Sequence, residues 1–155
     1  MNITFKKNTR RNITIGTLLY RESEYSLEFD PLPVGGVTSV LIDYLNLEID
    51  EEGNVLYVWG LAPKATWKDT EKIPPSYIQG GVQCHLDKII PGVSKMFNNI
   101  SPWQMFFNKR SEWLFTGEDI NYKGFEYIEF AQNCVAILSD SGELKGLWLR
   151  PLIIP

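Results

Sequence analysis

The sequence predicts a mainly β protein: an antiparallel sandwich or strongly curved sheet built from hairpins, with at most one or two short helices. An α+β arrangement is the alternative. Three observations carry this expectation. Short apolar runs alternate with polar residues at the two-residue period of half-buried strands. Turn-forming clusters separate the runs, among them Asp-Glu-Glu-Gly-Asn at 50–54 and Asp-Ser-Gly-Glu at 140–143. Aromatic side chains, 13% of the residues, suit strands better than helices. A chain of 155 residues is long enough to bury its own core, so residues 1–155 are expected to form a single domain.

The first hairpin is read from residues 14–20 and 25–30 around the polar residues 21–24. Tyr25, Leu27 and Phe29 alternate with Ser26, Glu28 and Asp30, so Glu28 and Asp30 are expected to face solvent, and Asp30-Pro31 closes the unit. A second hairpin spans residues 40–60. Leu41, Leu45, Leu47 and Ile49 share one face, interrupted by Asp43. The glycine turn at 50–54 then returns a strand with Val55, Tyr57 and Trp59 on one side. Residues 61–81, rich in Pro, Lys and Thr, read as a long surface connection, extended around Pro74-Pro75. Trp67 lies in this connection without apolar sequence neighbours. Long connections often carry function, which makes Trp67 an interface candidate.

In the middle of the chain Leu86, Ile89, Ile90, Val93, Met96, Phe97 and Ile100 follow helical spacing, but Pro91-Gly92 interrupts it. Proline and glycine inside a helix cost about 3 and 1 kcal/mol, against one continuous helix. Residues 101–117 fit a helix capped by Ser101 and Pro102 and stopped at Gly117. They also fit a hairpin around residues 108–111, and their aromatic content favours the hairpin. The last third reads as a meander of residues 125–131, 134–139 and 144–151, with the apolar residues 152–155 packed against the body.

The net charge of −4 is unevenly spread. Residues 1–20 hold Lys6, Lys7, Arg10 and Arg11 and no acid. Residues 21–60 hold Glu22, Glu24, Glu28, Asp30, Asp43, Glu48, Asp50, Glu51 and Glu52 against Arg21 alone. Beyond residue 60 acids and bases cancel. Such a block repels phosphate backbones and attracts cations, so no nucleic-acid partner is expected apart from the short basic start. No run approaches the roughly 18–20 apolar residues of a membrane span, and the start lacks a secretory apolar region. A cytoplasmic protein with Cys84 and Cys134 reduced and buried is expected.

Reaction chemistry is sparse. Cys84 and the single histidine, His85, are adjacent, so in a strand they project to opposite faces and do not act as nucleophile and base. A structural zinc site needs four N or S ligands, and Cys84, His85 and Cys134 supply three. The Gly-Gly pairs at 35–36 and 80–81 lack the framing of a phosphate loop. No catalytic residue, metal or cofactor is therefore expected. An acidic surface with aromatic anchors suits a basic protein partner, with Glu22, Glu24, Glu28, Asp30, Glu48, Asp50, Glu51 and Glu52 steering and Tyr44 and Trp67 anchoring. The alternative is a carbohydrate-binding or carbohydrate-acting β domain that uses exposed tryptophan and a carboxylate such as Asp43.

Residues 44–75, YLNLEIDEEGNVLYVWGLAPKATWKDTEKIPP, combine an acidic hairpin, an aromatic-glycine strand end and a tryptophan-bearing loop. This stretch, about 32 of 155 residues, resembles segments of bacterial immunity proteins from contact-dependent inhibition and related polymorphic toxin systems. The resemblance implies a small cytosolic inhibitor that caps the active site of a cognate toxin domain, often a nuclease. It carries no position-by-position site residues.

Overall fold

The computed structural model describes residues 3–97, 103–118 and 123–155. Strands and isolated bridges take up 51% of the described residues. Among the described residues the one helical element is a 3-10 turn at Lys64–Thr66. The strands are β1 (Thr4–Asn8), β2 (Thr17–Arg21), β3 (Ser26–Asp30), β4 (Thr38–Ile42), β5 (Leu45–Ile49), β6 (Val55–Leu61), β7 (Lys68–Asp69) and β8 (Ile78–Gln79). They continue with β9 (Gly81–His85), β10 (Lys95–Met96), β11 (Gln104–Phe107), β12 (Leu114–Gly117), β13 (Glu126–Ala131), β14 (Cys134–Leu138), β15 (Leu144–Leu149) and β16 (Leu152–Ile154).

They build two seven-stranded sheets and one ribbon. The first sheet runs β10-β4-β5-β6-β3-β2-β16, the second β7-β11-β12-β15-β14-β13-β8, and β1 pairs with β9. Central pairings are antiparallel. The short edge strands β10, β16, β7 and β8 lie parallel to their neighbours. The core lies between the sheets. Leu18, Tyr20, Leu27, Val40, Leu47 and Val58 from the first meet Leu114, Ile128, Phe130, Ala136 and Leu147 from the second in one buried cluster. The ribbon adds Phe5, Val82 and Cys84. This is the expected sandwich, and the chain crosses from the second sheet to the first at Pro151, between β15 and β16.

The second sheet is buried on both faces. Opposite its core-facing side chains lies a separate aromatic cluster of Trp113, Phe115, Val135, Ile137 and Trp148, packed by Phe106, Phe125 and Tyr127. Residues 68–79 pass from one edge of this sheet to the other: β7 pairs with β11, and β8 with β13. On the way Tyr77 meets Trp113 edge-on, with ring centroids 6.2 Å apart.

Several local expectations change. The run from Val40 to Ile49 is two strands, β4 and β5, paired through a tight turn at Asp43-Tyr44. Asp43 adopts φ 52, a left-handed conformation that aspartate tolerates better than most residues. Asp43 therefore interrupts no strand face; it is exposed, and its Oδ2 accepts from the Trp103 N–H at 3.0 Å. Ile42 rather than Leu41 joins Leu45, Leu47 and Ile49 in the core. Tyr25 leaves the face of Leu27 and Phe29: it takes φ 56 in the β2–β3 turn and is 54% exposed. In β6 an extra residue at Leu56 bulges opposite the step from Glu48 to Ile49. The bulge resets the alternation, so Val55 turns inward and Trp59 faces outward, while Tyr57 stays buried, stacked on Phe29 with ring centroids 5.8 Å apart.

Residues 104–117 form the β11–β12 hairpin rather than a helix. Ser101, Pro102 and Ile100 lie outside the described residues. Residues 86–97 are not helical, and Gly92, at φ 78, turns the chain before β10. The C-terminal meander is present as β13, β14 and β15, and residues 152–154 join the first sheet beside β2.

Candidate functional site

The outer face of the first sheet carries the most distinctive open surface. Alternation that buries Leu27 and Phe29 turns Ser26, Glu28 and Asp30 outward on β3. From neighbouring strands come Leu19 and Arg21 of β2, Trp59 and Leu61 of β6 and Glu48 of β5. Side chains of β2, β3 and β6, with Leu32, line a shallow groove of about 820 Å³. Trp59 is 40% exposed, Leu61 48% and Leu32 66%.

Polar groups fix this apolar ground. The Trp59 indole N–H donates to Glu48 Oε1 at 3.1 Å, which holds the ring across β5. Burial pushes the Glu48 carboxyl above the usual range, and the Trp59 donor offsets part of that. Arg21 Nε and the Ser26 hydroxyl both donate to Glu28 Oε2, at 3.0 and 2.9 Å. The Arg21 guanidinium, followed by Ser26, holds the Glu28 carboxyl below the usual range.

The acidic stretch seen in sequence does not become one patch. Glu28, Asp30 and Glu48 lie on the sheet face. Glu22 and Glu24 lie in the β2–β3 turn at the end where Tyr44 also projects, and Asp50, Glu51 and Glu52 form the β5–β6 turn at the other end. A five-residue strand separates the ends by roughly 17 Å, about twice the screening length at physiological salt. Pairing thins the charge further. Glu22 meets Lys64 at 3.6 Å, Glu28 meets Arg21 at 3.0 Å and Asp50 meets Arg11 at 3.8 Å. Among the described residues Glu24, Asp30, Glu51 and Glu52 make no salt bridge.

Asp50 also has a local task that explains the crowded tip. Its Oδ1 accepts from the backbone N–H groups of Glu52 and Asn54, both at 2.9 Å, so the carboxylate organises the turn and is not free for a partner.

The two expected anchors part ways. Tyr44 is 71% exposed at the β4–β5 turn. Trp67 is half-buried, its ring wedged between Tyr20 and Phe107 with centroids 4.9 and 5.0 Å apart. It pins residues 61–81 to the core and offers no open face comparable to Trp59. Trp103, Trp113 and Trp148 are buried, so a sugar platform would rest on Trp59 alone. Trp59 was open from sequence only as one of five tryptophans for a sugar platform and Leu61 was not singled out, because the bulge at Leu56 hides their outward direction.

Other chemistry is remote from this face. Cys84 is buried in β9 while His85 beside it is exposed, as adjacent strand positions require. Burial pushes the Cys84 thiol up to about 12 and raises that of Cys134 as well, which suppresses the nucleophilic thiolate. Among the described residues no cluster of three or more His, Cys, Asp or Glu is placed to hold a metal ion. No helix among them is long and apolar enough to cross a membrane. No protein-family model matches the chain, and no curated protein matches it either.

Proposed function

We propose that this chain is a non-enzymatic binding protein that docks onto a basic protein, as an immunity protein neutralising a cationic toxin domain by capping its active site. The observation that carries this is the unequal treatment of the two outer faces. The second sheet covers its aromatic face, whereas the first leaves Trp59, Leu61 and Leu32 open among Glu28, Asp30 and Glu48. Aromatic and aliphatic anchors ringed by carboxylates are the makings of an interface with a lysine- and arginine-rich surface. The basic groups of such a toxin normally meet substrate phosphates, so covering them blocks substrate directly. Glu24, Glu51 and Glu52, at the two ends of the sheet, contribute to approach rather than contact, raising the association rate at low salt.

The experiment is co-expression with the product of the adjacent reading frame, reading growth and complex formation. Rescue of growth by the wild-type chain is expected, together with loss of rescue for the double variant Trp59→Ala, Asp30→Lys. Replacing Glu51 and Glu52 with Lys is expected to slow association at low ionic strength and to leave dissociation nearly unchanged. A neighbour product that binds the Trp59→Ala, Asp30→Lys variant as tightly as the wild type overturns the assignment of this face. A neighbour that is not toxic and forms no complex overturns the immunity reading itself.

A further inference from the structure

The groove on the outer face of the first sheet runs along the seam between β3 and β6. The ladder joining these strands holds only two pairs, Ser26 with Leu61 and Leu27 with Gly60. Leu27 and the stacked rings of Phe29 and Tyr57 supply its buried apolar lining.

The charged side chains that line the groove are three carboxylates, Glu24, Glu28 and Asp30, against Arg21 alone. Arg21 already spends its charge on Glu28, at 3.0 Å. Glu24 and Asp30 make no salt bridge among the described residues. The lining therefore keeps an excess of negative charge, complementary to a cation.

Trp59 narrows the choice of cation. Its indole N–H is donated to Glu48 Oε1 at 3.1 Å, so what the exposed side chain has left to offer a visitor is the π surface of its ring. Ring faces of this kind attract cations. A guanidinium fits better than an ammonium, because it is planar and weakly hydrated, stacks on an indole and donates two parallel N–H bonds to one carboxylate. The chain makes that contact within itself: Arg21 Nε donates to Glu28 Oε2 at 3.0 Å and Nη2 to Oε1 at 3.5 Å. Glu28 and Asp30 also recur at the two-residue step of a strand, roughly 6.7 Å, which is the step at which an extended segment presents alternate side chains.

We infer that the groove is an arginine-binding site: it takes an extended segment of the partner with arginines at alternate positions, one stacked on Trp59 and the next held by Asp30. The inference rests on the binding function proposed above and narrows a basic surface to guanidinium groups. At about 820 Å³ the groove holds a short stretch of chain rather than a single side chain.

The test uses the whole protein and three capped peptides, Arg-Gly-Arg, Lys-Gly-Lys and Glu-Gly-Glu, titrated by NMR at low salt. Arg-Gly-Arg is expected to shift the Trp59 indole N–H and the amides of Ser26 to Asp30 saturably. Lys-Gly-Lys is expected to bind roughly threefold or more weakly, since it forgoes the stacking and the paired bonds, and Glu-Gly-Glu not at all. Trp59→Ala and, independently, the exposed Asp30→Asn are each expected to weaken Arg-Gly-Arg several-fold. Arg21→Gln, which releases Glu28 from its internal guanidinium, is expected to tighten Arg-Gly-Arg, and by more than it tightens Lys-Gly-Lys. Equal binding of the arginine and lysine peptides, shifts away from the groove, no saturable shift, or an Arg21→Gln variant that binds no better overturns the arginine site. Should the neighbour product bind the wild type and lose the Trp59→Ala, Asp30→Lys variant while the peptides bind alike, the arginine site falls and the docking face stands. Peptide binding as expected beside a neighbour that is not toxic and forms no complex leaves the groove standing and removes the immunity reading.

Discussion

Replacing Trp67 separates a core role from a contact role. Aromatic side chains bury about 150–250 Å² each. With most of the half-buried Trp67 ring removed from water, and apolar burial worth about 25 cal/mol per Å², truncation to alanine loses roughly 3–4 kcal/mol. Residual compactness of the unfolded chain trims this to about 3 kcal/mol. The close rings of Tyr20 and Phe107 flank the indole, so alanine leaves a gap between them. In a chain of this size each kcal/mol moves Tm by about 2–4 °C, so Trp67→Ala is expected to melt roughly 6–12 °C lower. Trp67→Phe provides the internal control. The Trp67 indole N–H is buried with no acceptor among the described residues, and an unsatisfied buried donor costs about 1–3 kcal/mol. Phenylalanine gives up about 1 kcal/mol of area but removes that donor, so it should lie within about 1 kcal/mol of the parent. Urea unfolding with matched m-values measures both. An alanine variant within about 0.5 kcal/mol of the parent refutes the wedge geometry, and a phenylalanine variant as damaged as alanine refutes the unpaired donor.

Two further perturbations test local features. Gly53 has φ 85, and a Cβ there would lie 2.2 Å from the Cys84 carbonyl oxygen, so Gly53→Ala is expected to cost about 3 kcal/mol or more. Gly35, at φ 101 with open space around it, should cost only about 1 kcal/mol when changed to alanine; equal effects in chemical denaturation would contradict the approach of the acidic turn to β9. Glu48 has its folded-state pKa raised by burial, so the protonated acid suits the folded state better than the carboxylate does. Its contribution is fully present below the ordinary carboxylate range near ~4.3 and is lost as pH rises through the raised value. Glu48→Gln, which keeps an acceptor for Trp59, is therefore expected to be more stable than the parent at neutral pH and indistinguishable from it in acid. Melting curves across that range check this, and a stability gap that widens in acid would reverse the sign.

Sequence periodicity located the features whose two faces differ in polarity. Ser26 to Asp30 alternates cleanly, and the β13–β14–β15 meander is punctuated by Asn133 and by the turn at 139–143. Legibility failed where that contrast vanished. β4 and β5 merged into one run because the turn between them holds neither Gly nor Pro, only Asp43 in a left-handed conformation. The inward Val55 and outward Trp59 could not both be read from a strict period of two, since the bulge at Leu56 adds a residue between them. In the second sheet the strands were marked by their turns rather than by polarity, since Phe115, Val135, Ile137 and Trp148 on one side are as buried as Leu114, Ala136 and Leu147 on the other, so its two buried faces could not be told apart. Trp67 looked isolated because Tyr20 and Phe107 reach it from distant parts of the chain. The acidic stretch misled differently. Contiguity in sequence became division in space, as successive hairpins carried Glu24, Asp30 and Glu51 to different ends and faces.

The same asymmetry bears on how a partner would approach. Among the described residues the edges of the two seven-stranded sheets are short: β7, β8 and β10 contribute two residues each and β16 three. Strands of that length offer a visitor few backbone hydrogen bonds, which is how sheets commonly resist edge-to-edge association. Faces are the remaining large surfaces, and one of them is closed by aromatic packing with Tyr77 laid against Trp113. What is left is the first sheet, where an indole and a leucine stay exposed although burying each would add roughly 1.5–3 kcal/mol of stability. A chain that buries the aromatic cluster on one outer face and leaves Trp59 and Leu61 exposed on the other, with Glu48 holding Trp59 in place, forgoes that stability on one side only. The proposed docking face gives a reason for the difference, since apolar surface retained for a partner must stay uncovered until the partner arrives.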